Sequence, residues 1–210
     1  LSRQRRNGRS LAVVFVDLSG FTSLSETLDP DATRGLLKEF HALVDREVTR
    51  CGGMITSFLG DGAMILFGLP EAAPDDAARA AQCSIALCVK SERWIETLLP
   101  EMAARIGFKI GAHFGPIVAS RLGGRNHQHI TATGDTVNVA SRLMEVAAGH
   151  DVRLALSDTL RIAAERILQA RAQYGITRSD AFPTVEVAGS FSANRNSRVG
   201  AIPFLPAGVN

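Results

Sequence analysis

Residues 54–67 read MITSFLGDGAMILF, which is two short apolar runs on either side of a turn. The Gly60-Asp61-Gly62 step between them favours the positive φ angles that tight turns need, so we predict a β-hairpin with strands over 54–58 and 63–67. This hairpin decides the fold, because it lies between two long helical patterns. Helices that alternate with hairpins favour an α+β fold, a mostly antiparallel sheet with helices packed against it, over a parallel α/β fold.

The segments around the hairpin predict its partners. Residues 11–16 read LAVVFV, a short run rich in β-branched residues that is typical of a buried strand. Apolar residues at helical spacing predict three long helices, over 31–50, 74–98 and 136–148, the first capped by Asp29 or Asp31. Further strands are predicted over 108–114, 117–121, 152–156, 185–188 and 199–204, with an exposed loop over 123–127 and a short helix from Ser157.

Composition limits the classes of function. The chain has 210 residues, enough for one domain with a sizeable core, and 23 basic against 21 acidic residues give a net charge of only +2. A near-neutral chain gives no support to a nucleic-acid binder held by phosphate contacts. The apolar stretch Leu11–Val16 is far shorter than the roughly 20 residues of a membrane span. Three scattered cysteines fit neither a disulfide scaffold nor a zinc site, so we expect a reducing, cytoplasmic setting.

Two aspartates stand out as candidate metal ligands. Asp17 ends the first predicted strand, and Asp61 lies in the hairpin. If that strand lies beside the hairpin, both carboxylates reach one edge of the sheet, and with an adjacent main-chain carbonyl they make an oxygen site for Mg²⁺ or Mn²⁺. Residues 18–22, which include Gly20, Phe21 and Thr22, then offer backbone N–H groups to phosphate oxygens. The alternative is that Asp61 is only a turn residue.

A third feature is the entry into the third long helix. Residues 134–142 read GDTVNVASR, and Asn138 and Arg142 are four residues apart, so they share one helical face. Such a pair can hold a ribose and a negatively charged phosphorane. The alternative is an ordinary polar pair on the surface.

Four segments, in this order, resemble the catalytic domains of the class III nucleotidyl cyclases, which are adenylate and guanylate cyclases. Residues 14–26 resemble the first metal motif of that family and residues 58–68 the second. Residues 109–117 are similar to the strand pair that follows, and residues 134–142 to the helix motif. The match covers roughly residues 11–156. We therefore predict a cyclase catalytic domain over 11–206, preceded by a linker or tail over 1–10.

The resemblance implies a ferredoxin-like cyclase palm and a head-to-tail homodimer with shared active sites. One protomer would hold two Mg²⁺ or Mn²⁺ ions through Asp17, Asp61 and the Leu18 carbonyl. The other would supply Asn138 and Arg142 to the transition state. The expected reaction converts a purine nucleoside triphosphate into its 3′,5′-cyclic monophosphate and pyrophosphate. Because such domains are often outputs of sensors and this chain begins with Leu, a sensor domain upstream is also expected.

Three positions depart from the family pattern. Ser57 stands where the family usually has a lysine that contacts the purine, and Thr131 stands where many adenylate cyclases have aspartate. Threonine there resembles a bacterial subgroup that uses ATP, so we predict ATP as substrate, with GTP or mixed specificity as the alternative. Ala188 aligns with a lysine that binds the triphosphate in the family; Arg195 or Arg198 could replace that lysine, and the alternative is that both are surface arginines. A degenerate module that dimerises and binds nucleotide without turnover is the competing hypothesis.

Overall fold

The computed structural model describes residues 9–122 and 129–173. Within these ranges the secondary-structure elements follow one another as β1 (Arg9–Ser19), α1 (Phe21–Ser25), α2 (Pro30–Arg50), β2 (Met54–Leu59), β3 (Gly62–Phe67), α3 (Asp76–Glu96), α4 (Pro100–Ala103), β4 (Gly107–Leu122), β5 (His129–Thr133), α5 (Asp135–Gly149), β6 (Leu154–Leu156) and α6 (Asp158–Gln173). The β2–β3 hairpin lies between the long helices α2 and α3, as predicted from the sequence.

The strands form one sheet in the order β2-β3-β1-β4-β5, with β6 pairing with β4. All pairs are antiparallel except β4 with β6. The first four strands with α2 and α3 make a β-α-β-β-α-β unit in the ferredoxin-like strand order. The prediction of an α+β fold with a mostly antiparallel sheet is therefore confirmed, and so is the predicted hairpin.

Each face of the sheet is covered by different helices. Successive side chains of a strand point to opposite faces. In β1, Ala12, Val14 and Val16 belong to the main core, which includes buried residues of α2, α3 and α6. Leu11 and Val13, with Phe15 packed beside them, belong to a smaller core that includes Ala140 of α5. The sheet thus has an α5 face and an opposite face against α2, α3 and α6.

Local side-chain contacts set the helix starts. The Asp29 carboxylate accepts hydrogen bonds from the N–H groups of Asp31 and Ala32, both at 2.9 Å, and caps α2 close to the predicted start. Helix α3 begins at Asp76, two residues later than the prediction from 74. The reason is that the Asp76 carboxylate accepts from the N–H of Ala73 at 2.6 Å and holds the preceding residues in a turn.

Two sequence predictions about the second half were wrong, and one strand was missed. The predicted break at Gly115-Pro116 is absent, because β4 runs without interruption from Gly107 to Leu122. Pro116 lies near the end of the β1–β4 ladder, just before β4 begins to pair with β5, where a missing N–H is tolerated. Strand β5 was not predicted, and α6 is a helix of 16 residues rather than a short one.

Some predictions fall partly or wholly outside the described residues. Arg9 and Ser10, expected in the tail, pair with β4 as the first residues of β1. The rest of that tail, the loop over 123–127 and the strands over 185–188 and 199–204 lie outside the described ranges. Among the residues that are described, no helix combines the length and the apolar character needed to cross a membrane.

Candidate active site

The two candidate metal ligands lie at one edge of the sheet. Asp17, near the end of β1, is opposite Gly62 of β3 and Lys109 of β4. The next residue, Leu18, donates its N–H to the main-chain carbonyl of Asp61 at 3.0 Å. The backbone that carries one aspartate is therefore hydrogen-bonded to the backbone of the other, and β1 lies beside the hairpin, which is the condition that the sequence argument set for a shared site.

The two glycines that flank Asp61 have different tasks. Gly60 has a φ of +68°, the left-handed conformation that the turn requires. A Cβ on Gly62 would lie 2.6 Å from Oδ1 of Asp17 and 3.0 Å from the carbonyl of Val16. Gly62 therefore leaves the space that the Asp17 carboxylate occupies.

Lys109 is a site residue that the sequence analysis missed. Its Nζ lies 3.1 Å from Oδ2 of Asp17, and about a quarter of each side chain is exposed. The two residues are directly opposite in the β1–β4 register, where opposite charges stabilise a strand pair. Knowledge of that register would have predicted the pair. Both strands are apolar along most of their length, however, so the sequence does not determine their register.

The charges at this edge compete for protons and cations. Burial raises the pKa of Asp17 above its usual value, the hydrogen bond from Lys109 opposes that rise, and the neighbouring Asp61 carboxylate adds to it. The positive charge of Lys109 also lowers the pKa of Asp17. A cation between the two carboxylates would favour the ionised form of Asp17.

The donor set at this edge fits a divalent cation of the Mg²⁺ type. The described residues hold no cluster of three or more His, Cys, Asp or Glu side chains that could bind a metal ion. Mg²⁺, however, is commonly bound by one or two carboxylates together with substrate phosphates and water. Asp17, Asp61 and the Leu18 carbonyl match that pattern. In a site built this way, water or phosphate oxygens supply the remaining ligands.

The predicted phosphate-binding segment forms the start of α1. Gly20 precedes the helix with a φ of +78°, and a Cβ there would lie 2.1 Å from the carbonyl of Arg105. The side chain of Phe21 is buried and that of Thr22 is exposed, so Phe21 can offer a ligand only its main chain. Within residues 18–22, the N–H of Leu18 is bonded to Asp61, so the binding of phosphate oxygens stays a prediction for Gly20, Phe21 and Thr22.

Asn138 and Arg142 both lie exposed on α5, one turn apart. The start of this helix is fixed by Thr136, whose hydroxyl donates to the carbonyl of Pro116 at 2.6 Å. The helix packs closely on β4, since a Cβ on Gly111 would lie 2.4 Å from both the carbonyl of Ala140 and the N–H nitrogen of Met144. The alternation of β1 places Asp17 on this same α5 face.

The two candidate base-recognition positions lie on different strands. Ser57 is half-buried on β2, opposite Met64 and next to an irregularity in the β2–β3 register. Because Met64 packs with the α5-face core, Ser57 lies on the α5 face as well. Thr131 pairs with Ser120 between β5 and β4, and its side chain is outside the described part of the chain, as is all of Ala188.

Comparison with known families places this site in context. The family described as the adenylate and guanylate cyclase catalytic domain matches residues 4–189. The chain belongs to this family of class III nucleotidyl cyclase catalytic domains. The resemblance that the four sequence motifs carry is thereby confirmed.

Similar solved structures include cyclases of both specificities. The guanylyl cyclase Cya2 is 26% identical with a TM-score of 0.65, and the match covers 75% of this chain and 79% of that one. The adenylyl cyclase CyaB from P. aeruginosa is 27% identical with a TM-score of 0.62, over 75% of this chain and 81% of that one. Similarity of this kind does not separate ATP from GTP as substrate.

An uncharacterized protein of Mycobacterium tuberculosis, Rv1319c, is 41% identical over 160 residues. The match covers 75% of this chain but only 28% of that protein. The chain thus spans little more than a quarter of the length of this relative.

Proposed function

We propose that this chain is a nucleotidyl cyclase that converts a purine nucleoside triphosphate, ATP in preference, into its 3′,5′-cyclic monophosphate. The ribose 3′-oxygen forms a bond to the α-phosphorus, and the bond from the α-phosphorus to the bridging oxygen breaks. Pyrophosphate leaves with that oxygen, and the proton of the 3′-hydroxyl passes to solvent. No covalent intermediate with the protein is needed.

The observation that carries the proposal is the joining of Asp17 and Asp61 at one sheet edge. The hydrogen bond between Leu18 and Asp61, the space left by Gly62 and the ammonium group of Lys109 all support this pairing. A hairpin aspartate that served only its turn would not need a second carboxylate beside it. The same face of the sheet carries α5 with its exposed Asn138 and Arg142.

Each part of the site has a proposed task. Asp17, Asp61 and the Leu18 carbonyl hold two Mg²⁺ or Mn²⁺ ions, and the main chain at Gly20, Phe21 and Thr22 binds phosphate oxygens. When bound, the ions supply charge neutralisation of the triphosphate and a lower pKa for the 3′-hydroxyl.

The other two proposed tasks belong to α5. Asn138 orients the ribose for in-line attack, and Arg142 stabilises the charge that develops on the α-phosphate. Their exposure supports a homodimer in which they complete the site of the partner protomer.

The preference for ATP rests on base contacts at Thr131 and Ser57. A threonine hydroxyl can accept a hydrogen bond from the adenine amino group. The Ser57 hydroxyl is too short to replace a lysine that reaches the base. A site with few buried polar groups toward the base discriminates weakly between purines, so we expect measurable turnover of GTP as well.

The place of the domain in a larger protein is also a proposal. We propose that the catalytic domain covers 11–206 and acts as a cytoplasmic output of an upstream sensor domain. The short share of the mycobacterial relative that it spans supports this view. Association of two protomers would then be the step that a sensor controls.

The deciding experiment is product identification with purified chain at high concentration, Mn²⁺, and either ATP or GTP. We expect cyclic AMP and pyrophosphate as the main products, detected by mass spectrometry, and a smaller amount of cyclic GMP. If neither ATP nor GTP is converted, the enzyme proposal is refuted. Nucleotide binding and dimerisation without product would identify the degenerate module instead.

A mixing experiment tests whether the sites are shared. Asp17→Ala and Arg142→Ala should each be inactive alone and should recover activity when mixed, because a mixed dimer retains one intact site. The matched control mixes Asp17→Ala with Asp61→Ala, which remove groups from the same half-site and should not recover. Failure of the first pair to recover would contradict shared sites.

A further inference from the structure

The tip of the β2–β3 hairpin is held by a residue outside the four motifs. His41 lies on α2, and its Nε2 is 2.9 Å from the carbonyl oxygen of Gly60. Its ring also stacks on Phe58, with centroids 4.1 Å apart and planes 29° from parallel. Two contacts from one side chain thus reach the hairpin on either side of Leu59, immediately before Asp61.

The hairpin tip needs such a support because little of it is buried. Phe58 and Leu59 are 41% and 58% exposed, although both are large and apolar. Gly60 has no side chain to pack and is exposed. The main-chain contact to β1, from Leu18 to the Asp61 carbonyl, fixes the far side of the turn only.

Helix α2 is positioned independently of His41. The preceding residue, Phe40, is fully buried in the main core, and Leu43 and Val44 are buried on the same side of the helix. The ring of Phe40 also lies 5.8 Å from that of Trp94 on α3. His41 therefore extends from a fixed helix to an exposed turn. Its side chain links the hairpin to α2 and is not part of the core.

We infer that His41 is a positioning residue, which fixes the Asp61 carboxylate by clamping the Gly60 carbonyl and the Phe58 ring to α2. The inference rests on the proposed function of Asp61 as a metal ligand. In this role His41 acts through its contacts with Gly60 and Phe58 and not directly on a substrate or metal. The hydrogen bond requires the proton on Nε2, since a carbonyl oxygen can only accept.

Three substitutions separate the two contacts. His41→Gln keeps a donor with the reach of Nε2 and loses the aromatic ring. His41→Phe keeps the ring and loses the donor, and His41→Ala loses both. The control is Lys38→Ala, which changes an exposed residue of the same helix nearly one turn earlier and leaves both contacts in place.

The test measures Mn²⁺ binding to each purified chain by the electron paramagnetic resonance signal of the free ion, with Mn²⁺ alone as the probe. Loss of one hydrogen bond should weaken binding about fivefold in His41→Phe, and His41→Ala should be weaker still. His41→Gln and Lys38→Ala should stay within about twofold of the parent, as one kept donor accounts for most of the effect. Hydrogen exchange of the amides of residues 60–62 should be fastest in the variant that loses most Mn²⁺ affinity, His41→Ala, and next fastest in His41→Phe. The thermal midpoint of His41→Phe should stay near that of the parent.

Kinetics gives a further readout in the active variants. The Mn²⁺ concentration for half-maximal rate should rise by the same factor as the binding constant, and kcat at saturating Mn²⁺ should change much less. A purely structural role would instead lower the amount of active protein and leave the Mn²⁺ dependence unchanged.

Two results would overturn the inference. One is parental Mn²⁺ affinity in His41→Phe, and the other is a loss in His41→Gln as large as in His41→Ala. If the parent chain itself neither binds Mn²⁺ nor turns over nucleotide, the proposed function fails, and amide exchange decides about His41 separately. Faster exchange at 60–62 in His41→Phe but not in His41→Gln would still support the clamp, and equal exchange in all variants would refute it.

Discussion

Gly111 is the position where the packing of α5 can be tested most directly. In Gly111→Ala the new Cβ would face two main-chain atoms of α5, the Ala140 carbonyl oxygen and the Met144 nitrogen, each 2.4 Å away. Ordinary contacts of a Cβ are 3.4–4 Å, so the helix has to retreat by about 1 Å. Neither atom belongs to a flexible side chain that could turn aside.

The expected cost follows from this displacement. Forcing a methyl group into a packed site costs typically about 1–3 kcal/mol, from which alanine recovers up to about 1 kcal/mol because glycine is less favourable in a strand. A retreat of about 1 Å also moves Asn138 and Arg142, and a misplacement of that size can cost roughly 100-fold in rate. We therefore expect a modest loss of stability and a large loss of activity.

The matched control is Gly35→Ala, in the second turn of α2. Nothing lies within 4 Å of a Cβ at Gly35, so the same change should stabilise the chain by about 0.5–1 kcal/mol and leave the rate unchanged. Urea unfolding gives the free energy of unfolding of both variants, and initial rates with Mn²⁺ and ATP give the activity. A Gly111→Ala chain with parental stability and parental rate would refute the packing argument.

Two further predictions concern charged groups and thiols. Lys109→Met removes the ammonium group 3.1 Å from Asp17, so the pKa of Asp17 should rise further and the metal-free chain should lose on the order of 1 kcal/mol at pH 8, where Asp17 must stay ionised. The thermal shift on adding Mn²⁺ should then exceed that of the parent, and an equal or smaller shift would contradict the electrostatic account. A hydrogen bond from Cys83 lowers the pKa of Cys51 to about 7, whereas burial raises the pKa of Cys88. Iodoacetamide should therefore label Cys51 before Cys88, at a rate that rises through pH 7 and levels off near pH 8. Peptide mapping that found Cys88 labelled faster than Cys51 would contradict this prediction.

The predictable part of the site was local in sequence. The three residues Gly60, Asp61 and Gly62 are enough to predict the turn of the hairpin. Asp17 directly follows the run of apolar residues that predicts a buried strand. Placing that strand beside the hairpin was enough to bring Asp17 and Asp61 together. That Asn138 and Arg142 share one helical face followed from their spacing, whereas the tasks expected of them came from the resemblance to the cyclase family.

The remaining parts depend on contacts between distant segments. The pairing of Lys109 with Asp17 requires the exact β1–β4 register, and a strand that is apolar on both faces does not encode it. The contact of His41 with Gly60 depends on where α2 crosses the hairpin. The unbroken course of β4 through Gly115 and Pro116 was missed because pairing with neighbouring strands outweighed a local turn signal.

The hydrogen-bonded edge that carries Asp17 and Asp61 also has a consequence for folding kinetics. Asp17, Asp61 and Lys109 come from three well-separated parts of the chain and meet only when β1 lies between β3 and β4. Pairings between segments so far apart in sequence form late and slowly, because the loops between them must close first. Mn²⁺ would therefore bind only after the centre of the sheet has formed. Added metal should then lower the unfolding rate by a larger factor than it raises the folding rate. Binding of the proposed cation would then report that the centre of this sheet has formed.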